Sequence, residues 1–174
     1  MKKFLITLIF ISTAIPTIAQ KFAYVDTKYI LENITEYKSA QEELDKISVD
    51  WQKEIEAKYT EINKLYKAFQ AEQILLTEDM KRKREEEIIR KEREAKELQK
   101  KRFGVDGDLF KKRQELVKPL QDKIYAAVKE IATNGNYAVI FDKGGELTML
   151  FTDPKFDKSE DVLNKLGYKA GGGK

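Results

Sequence analysis

The sequence has no cysteine and no histidine, and only three prolines in 174 residues. Without cysteine there is no disulfide, no thiol nucleophile and no residue to acylate as a lipoprotein anchor. Without histidine the commonest general base and metal ligand is missing, which removes Ser-His-Asp and zinc chemistry. Few prolines means few obligatory helix breaks. What is abundant is charge: Asp, Glu, Lys and Arg make up 36% of the chain, against about a quarter in ordinary globular proteins. High charge with few breakers predicts an elongated helical protein.

The first residues read as a targeting segment. "MKKFLITLIFISTAIPTIAQ" carries Lys2 and Lys3, an apolar run from Phe4 to Ile15, then Pro16 and a small-residue site at Thr17-Ile18-Ala19. That order is a secretory signal peptide, residues 1–19, with cleavage expected after Ala19. The competing reading is an uncleaved anchor, but the run is short for a membrane span. Cleavage leaves 31 basic and 30 acidic residues, so the formal charge falls from +3 to +1.

"KFAYVD" alternates and predicts a strand at 22–26, followed by a helix capped by Asp26 or Thr27. A long arm then begins. Leu44, Ile47, Trp51, Ile55, Tyr59, Ile62, Tyr66 and Phe69 recur every three or four residues, one stripe on one face. A helix of about forty residues spans roughly 60 Å and must project from any compact body. The tip is expected near 77–80, where Thr77 caps a returning helix. Together the two arms, residues 36–116, form an antiparallel helical hairpin. They differ in charge: Glu36 to Asp79 carries −5, and Met80 to Arg113 carries +6. Gly104, Gly107 and Pro119 are soft points in the second arm, hence candidate hinges.

Beyond Pro119, Leu120, Ile124, Val128 and Ile131 make a core stripe, and Asn134-Gly135 is the expected left-handed cap. "GNYAVIFDKGGELTMLF" then reads as a β-hairpin, strands 137–142 and 147–151, the first buried on both faces. A short helix in "KSEDVLNKLG" and a flexible tail at 169–174 follow. Residues 20–35 and 117–168 thus make a small body. One chain cannot cover Tyr24, Val25, Val139, Phe141, Leu147, Met149 and Phe151 with so little material. Strand edges would also stay open, which predicts a body shared between chains, the hairpin pairing with its own "FAYV" and with neighbouring chains. The fold class is α+β, a coiled-coil hairpin on a β-body.

"FAYVDTKYILENI", the charged hairpin, "YAAVKEIATNGNYAVIFD" and "DKSEDVLNKLG", in this order behind a signal peptide, resemble the Skp/OmpH family of periplasmic chaperones. The resemblance covers nearly the whole mature chain. It implies a homotrimer of jellyfish-like shape, located in the periplasm. It also implies ATP-independent holding of unfolded outer-membrane β-barrel proteins in a cavity between the arms, and no enzyme activity. Contact with lipopolysaccharide is a further implication, without a site that can be carried over residue by residue. The near-neutral mature charge departs from the basic character of familiar members.

Other chemistry finds little support. "DKGG" lacks the spacing of a phosphate loop, so no cofactor is expected. Glu85, Glu86 and Glu87 lie on a polar helix face, and Asp26 and Asp142 suit capping or turn roles. Interleaved Glu and the signal peptide argue against nucleic acid as a partner of "KRKREEEIIRKER". Lys81, Arg82, Lys83 and Arg84 read either as a solvated face or as a basic tip meeting anionic lipid or client acids. Trp51, Tyr59, Tyr66 and Phe69 either pack within the hairpin or face apolar client segments. A periplasmic coiled-coil adaptor and a lipid binder remain the alternatives to a holdase.

Overall fold

A computed structural model describes residues 20–145 and 148–169. The expected signal peptide, Leu147 and residues 170–174 of the expected tail lie outside the described residues. Strand β1 is Lys21–Val25 and leads into helix α1, Thr27–Glu32. The first arm is α2, Thr35–Glu72, and the return is α3, Glu78–Phe103. After a short break, α4 runs from Asp108 to Gly135 and delivers the chain to β2, Tyr137–Asp142. A 3-10 turn at Pro154–Phe156 precedes α5, Ser159–Lys165.

The two strands pair in parallel, with Phe22 opposite Val139 and Val25 opposite Asp142. A parallel pair needs a long crossover, and here the entire helical hairpin supplies it. The expected antiparallel hairpin is therefore corrected: residues 148–151 carry no strand. The reason lies at Asp142. Its carboxylate accepts from the Thr27 amide (3.1 Å), the Thr27 hydroxyl (2.7 Å) and the Gly144 amide (2.9 Å). These bonds tie the chain leaving β2 to the start of α1 instead of folding it back. Gly144 has no side chain to spare: a Cβ there would lie 2.7 Å from the Lys28 amide nitrogen.

Asp26 caps α1, its carboxylate accepting from the Tyr29 amide at 2.9 Å. Its own amide donates to the Ser159 hydroxyl at 2.8 Å, a part-buried bond that joins the buried Ser159 of α5 to the junction of β1 and α1. Around this knot Val25, Ile30, Ile34, Leu120, Ile124, Ala127, Val162 and Leu163 form one core. The core stripe of α4 is thus in place, and α4 runs helically through Pro119. Its cap is Asn136, left-handed at φ 53°, and not Gly135, which is still helical. Asparagine tolerates that conformation through its short polar side chain. Helix α2 has 38 residues, which at 1.5 Å each gives an arm of about 57 Å. Thr77 caps α3, accepting from the Met80 amide at 3.3 Å.

Candidate functional site

The outer face of the small sheet is open. Strand β2 is not covered on both sides: Val139 and Phe141 are exposed, and Phe22 on β1 is 47% exposed. Phe22 and Phe141 stack across the parallel pair at 6.5 Å between ring centroids. Together with Tyr24, Met149, Phe151 and Phe156 they line a groove of about 830 Å³. The residues expected to be shared between chains therefore divide. Tyr24 and Val25 are buried within their own chain, whereas Val139, Phe141 and Phe151 face solvent and Met149 is half-buried. Leu147 is outside the described residues. Phe22 and Phe156 belong to the open face and escaped the sequence reading, although the alternation of "KFAYV" already placed Phe22 opposite Ala23.

Along the arms the packing is thin. Ile62, Ile88 and Ala95 are buried between α2 and α3, flanked by Tyr59, Leu65 and Phe69. Polar ties cross the same seam: Lys91 to Glu61 at 2.9 Å and the Tyr59 hydroxyl to Gln99 at 3.5 Å. The Lys91 hydrogen bond holds the Glu61 carboxyl below its ordinary range, and Glu61 raises Lys91 in return. Of the four candidate client-facing aromatics, Tyr59 and Phe69 pack on the seam. Trp51 is half-buried, while Tyr66 is exposed.

Two of the three candidate hinge residues coincide with a helix break. Gly104 terminates α3 and Gly107 precedes α4, linked by a bond from the Gly107 amide to the Gly104 carbonyl at 2.9 Å. Pro119 lies inside α4. A residue the sequence reading passed over stands at the break. Arg102 donates to Asp108 at 2.8 Å and to Glu54 at 3.3 Å, and its guanidinium covers the Trp51 ring at 4.5 Å. Phe103 meets the same ring edge-on at 6.3 Å. The Arg102 Nε is buried and has no hydrogen-bond partner among the described residues. An orphaned buried donor costs about 1–3 kcal/mol. That cost is comparable to the ~1–2 kcal/mol a cation–π contact contributes. One arginine among 33 basic residues gives no pattern by which sequence alone could single it out.

At the tip the basic run is paired along its own helix. Lys81 reaches Glu78 at 2.7 Å, Arg82 and Lys83 share Asp79 at 2.8 and 2.9 Å, and Arg84 lies 3.7 Å from Glu87. The apolar side chains are what stand free there: Ile74 is 89% and Leu75 86% exposed, with Met80 beside the turn also exposed. Three consecutive apolar residues, Ile74-Leu75-Leu76, beside a charged turn were the available signal.

Comparison with known proteins places this architecture. The model of the OmpH-like outer membrane protein family matches residues 21–166. The chain belongs to the OmpH-like family. An uncharacterised protein of Aquifex aeolicus (strain VF5) is 30% identical over 145 residues, covering 83% of this chain and 85% of that protein. The crystal structure of an OmpH-like protein of Caulobacter crescentus CB15, described as an outer membrane chaperone, superposes with a TM-score of 0.66. The alignment covers 84% of this chain and 83% of the other, at 14% identity, so it speaks for the fold alone.

In this OmpH-like chain the described residues hold no cluster of three or more metal-ligating side chains. Among them no helix is long and apolar enough to cross a membrane. Asp26 and Asp142, the acidic residues at the strand ends, are engaged in capping and turn bonds. What the arrangement offers is surface: an open aromatic groove on the body, a thin seam along the arms, and an apolar tip.

Proposed function

We propose that this chain is a periplasmic, ATP-independent holdase that keeps unfolded outer-membrane β-barrel precursors from aggregating. The observation that carries the reading is the contrast of a well-packed body with long arms held together by very few buried side chains. Family membership supports a chaperone role. In this reading the mature protein begins at Gln20 after signal-peptide removal. It assembles as a homotrimer through the open sheet face, where Phe22, Val139, Phe141 and Phe151 find cover on neighbouring chains. Three arm pairs then project around one cavity. Client strands that alternate apolar and polar residues would be held by many weak contacts, multiplied by the avidity of several arms. Tyr66 and the partly covered Trp51 are the aromatic contacts best placed for this.

The test is light scattering of residues 20–174, alone and with a urea-unfolded barrel protein diluted into it. A trimer that keeps the client soluble without ATP in a 3:1 complex is expected. A trimer that leaves the client to aggregate transfers the case to a coiled-coil adaptor, and a stable monomer removes the shared body.

A second reading rests on the tip, where Ile74 and Leu75 stand exposed beside Lys81–Arg84. It makes the tip a contact for anionic lipid or lipopolysaccharide. Such binding falls steeply with added salt, whereas apolar client capture does not.

A further inference from the structure

We propose that Arg102 is a latch that sets how far the arms open, with Trp51 as its catch. Three observations meet on this residue. First, it is the last residue but one of α3, next to the Gly104–Gly107 break, where the backbone leaves the helix at ψ 171°. A side chain anchored there decides the direction in which α3 departs from α4. Second, its guanidinium joins all three long helices. It reaches Asp108 on α4 and Glu54 on α2, and it roofs Trp51 on α2. No other described ion pair bridges α3, α4 and α2 through one side chain. Third, the closed arrangement is incompletely satisfied, because the buried Nε lacks an acceptor. The latch therefore gives up a hydrogen bond in the closed state that water would supply in the open one. Opening leaves the Glu54 and Asp108 carboxylates free to hydrate, and both are already partly exposed.

Release uncovers the face of Trp51 next to Phe103, two adjacent aromatic rings beside the Gly104–Gly107 break. This half of the inference rests on the holdase reading: the surface fits apolar, aromatic-bearing segments of an unfolded chain. Capture of such a segment would displace the guanidinium from the indole, so the arm opens where a client is present.

The chain contains a single tryptophan, so its fluorescence reports the catch directly, without a client. In residues 20–174, Arg102→Ala is expected to red-shift Trp51 emission and increase its quenching by acrylamide. Amide exchange across 100–110 should quicken, with helical circular dichroism and oligomer mass unchanged. Removing the stack and both ion pairs moves the opening equilibrium by about tenfold. Lys101→Ala, at an exposed neighbouring position, leaves all three readouts in place. Arg102→Lys keeps a charge for Asp108 but loses the flat stack, and gives an intermediate shift. Unchanged emission and quenching in Arg102→Ala overturn the latch. Should that variant lose helix content, Arg102→Lys and Asp108→Asn decide, and unshifted emission in both again overturns it. With a urea-unfolded barrel protein added, wild type should show a blue shift of Trp51 and Arg102→Ala should bind severalfold tighter. Client held without any Trp51 change refutes the uncovered-surface half. No client binding by either chain refutes the holdase reading and leaves the latch standing on its fluorescence.

Discussion

In the body Ile30, Val162 and Leu163 are completely buried, and two capping aspartates and a buried serine stitch three segments together. Along the arms between residues 51 and 103, only Ile55, Ile62, Ile88 and Ala95 are buried among the described residues, and of these Ala95 alone completely. Much of the remaining arm surface is Lys, Arg, Glu and Asp, with many of the ion pairs inside a single helix. Exposed ion pairs of that kind contribute about 0–1 kcal/mol, so they keep the helices soluble more than they hold them together. The body is built to stay in one arrangement, and the arms to be held loosely.

The largest expected effect is the difference between cavities in the two regions. Leu163→Ala leaves a void in the body core and should cost about 3–5 kcal/mol in urea unfolding. Ile88→Ala, at a seam that solvent can reach and the helices can close over, should cost about 2 kcal/mol or less. Equal losses would mean that the arms are as tightly packed as the body.

Next comes the break itself. A Cβ on Gly104 would lie 2.4 Å from the Lys100 carbonyl oxygen. Gly104→Ala should therefore cost about 1–3 kcal/mol through overpacking, and should displace the start of the break. Differential scanning calorimetry and exchange across 100–110 would detect both. A neutral outcome would mean the helix end shifts freely and the position is not constrained.

A smaller effect concerns how the end of the chain is tied down. Burial first, and a hydrogen bond to Glu36 second, push the Tyr168 hydroxyl up to about 12. A raised pKa in the folded state means that the neutral phenol stabilises the fold fully below pH 10. That contribution is lost as pH rises from about 10 toward 12. Tyrosinate absorbance should show a late-titrating component in wild type that Tyr168→Phe reduces, the remainder belonging to Tyr29, whose hydroxyl is also raised by its hydrogen bond to Glu160.

Smallest is the surface pair Glu61–Lys91. Lys91→Met should leave the unfolding midpoint almost unmoved but return the Glu61 carboxyl to its ordinary range in an NMR titration. Because the folded pKa of Glu61 is depressed, whatever it contributes is present above the ordinary carboxylate range and lost on acidification.

The helices were legible in the sequence because a three-to-four spacing from Leu44 to Phe69 needs no distant information. The break was legible too, since Gly104 and Gly107 interrupt an otherwise strong helix former. Strand partnership was legible in part: the expected pairing with "FAYV" is present, whereas residues 148–151 carry no second strand of a hairpin. Residues 21–25 and 137–142 pair across the whole hairpin, while "KGG" is a local turn signal that points toward an adjacent partner. Only the contacts of Asp142 with Thr27 redirect it. The candidate site divides the same way. The glycines at the break announce themselves by type, whereas Arg102 is one of many cations and acquires its place only when Trp51 and Asp108 meet it in space.

The most direct test of a rigid body with loosely held arms is hydrogen exchange of residues 20–174, with and without an unfolded barrel protein. The account predicts slow exchange in α1, β1, β2, α5 and the inner half of α4 under both conditions. It predicts fast exchange in α3 and the outer half of α2 that slows when the client is added. Uniform protection of body and arms, or a client that protects the body and leaves the arms unchanged, would contradict it.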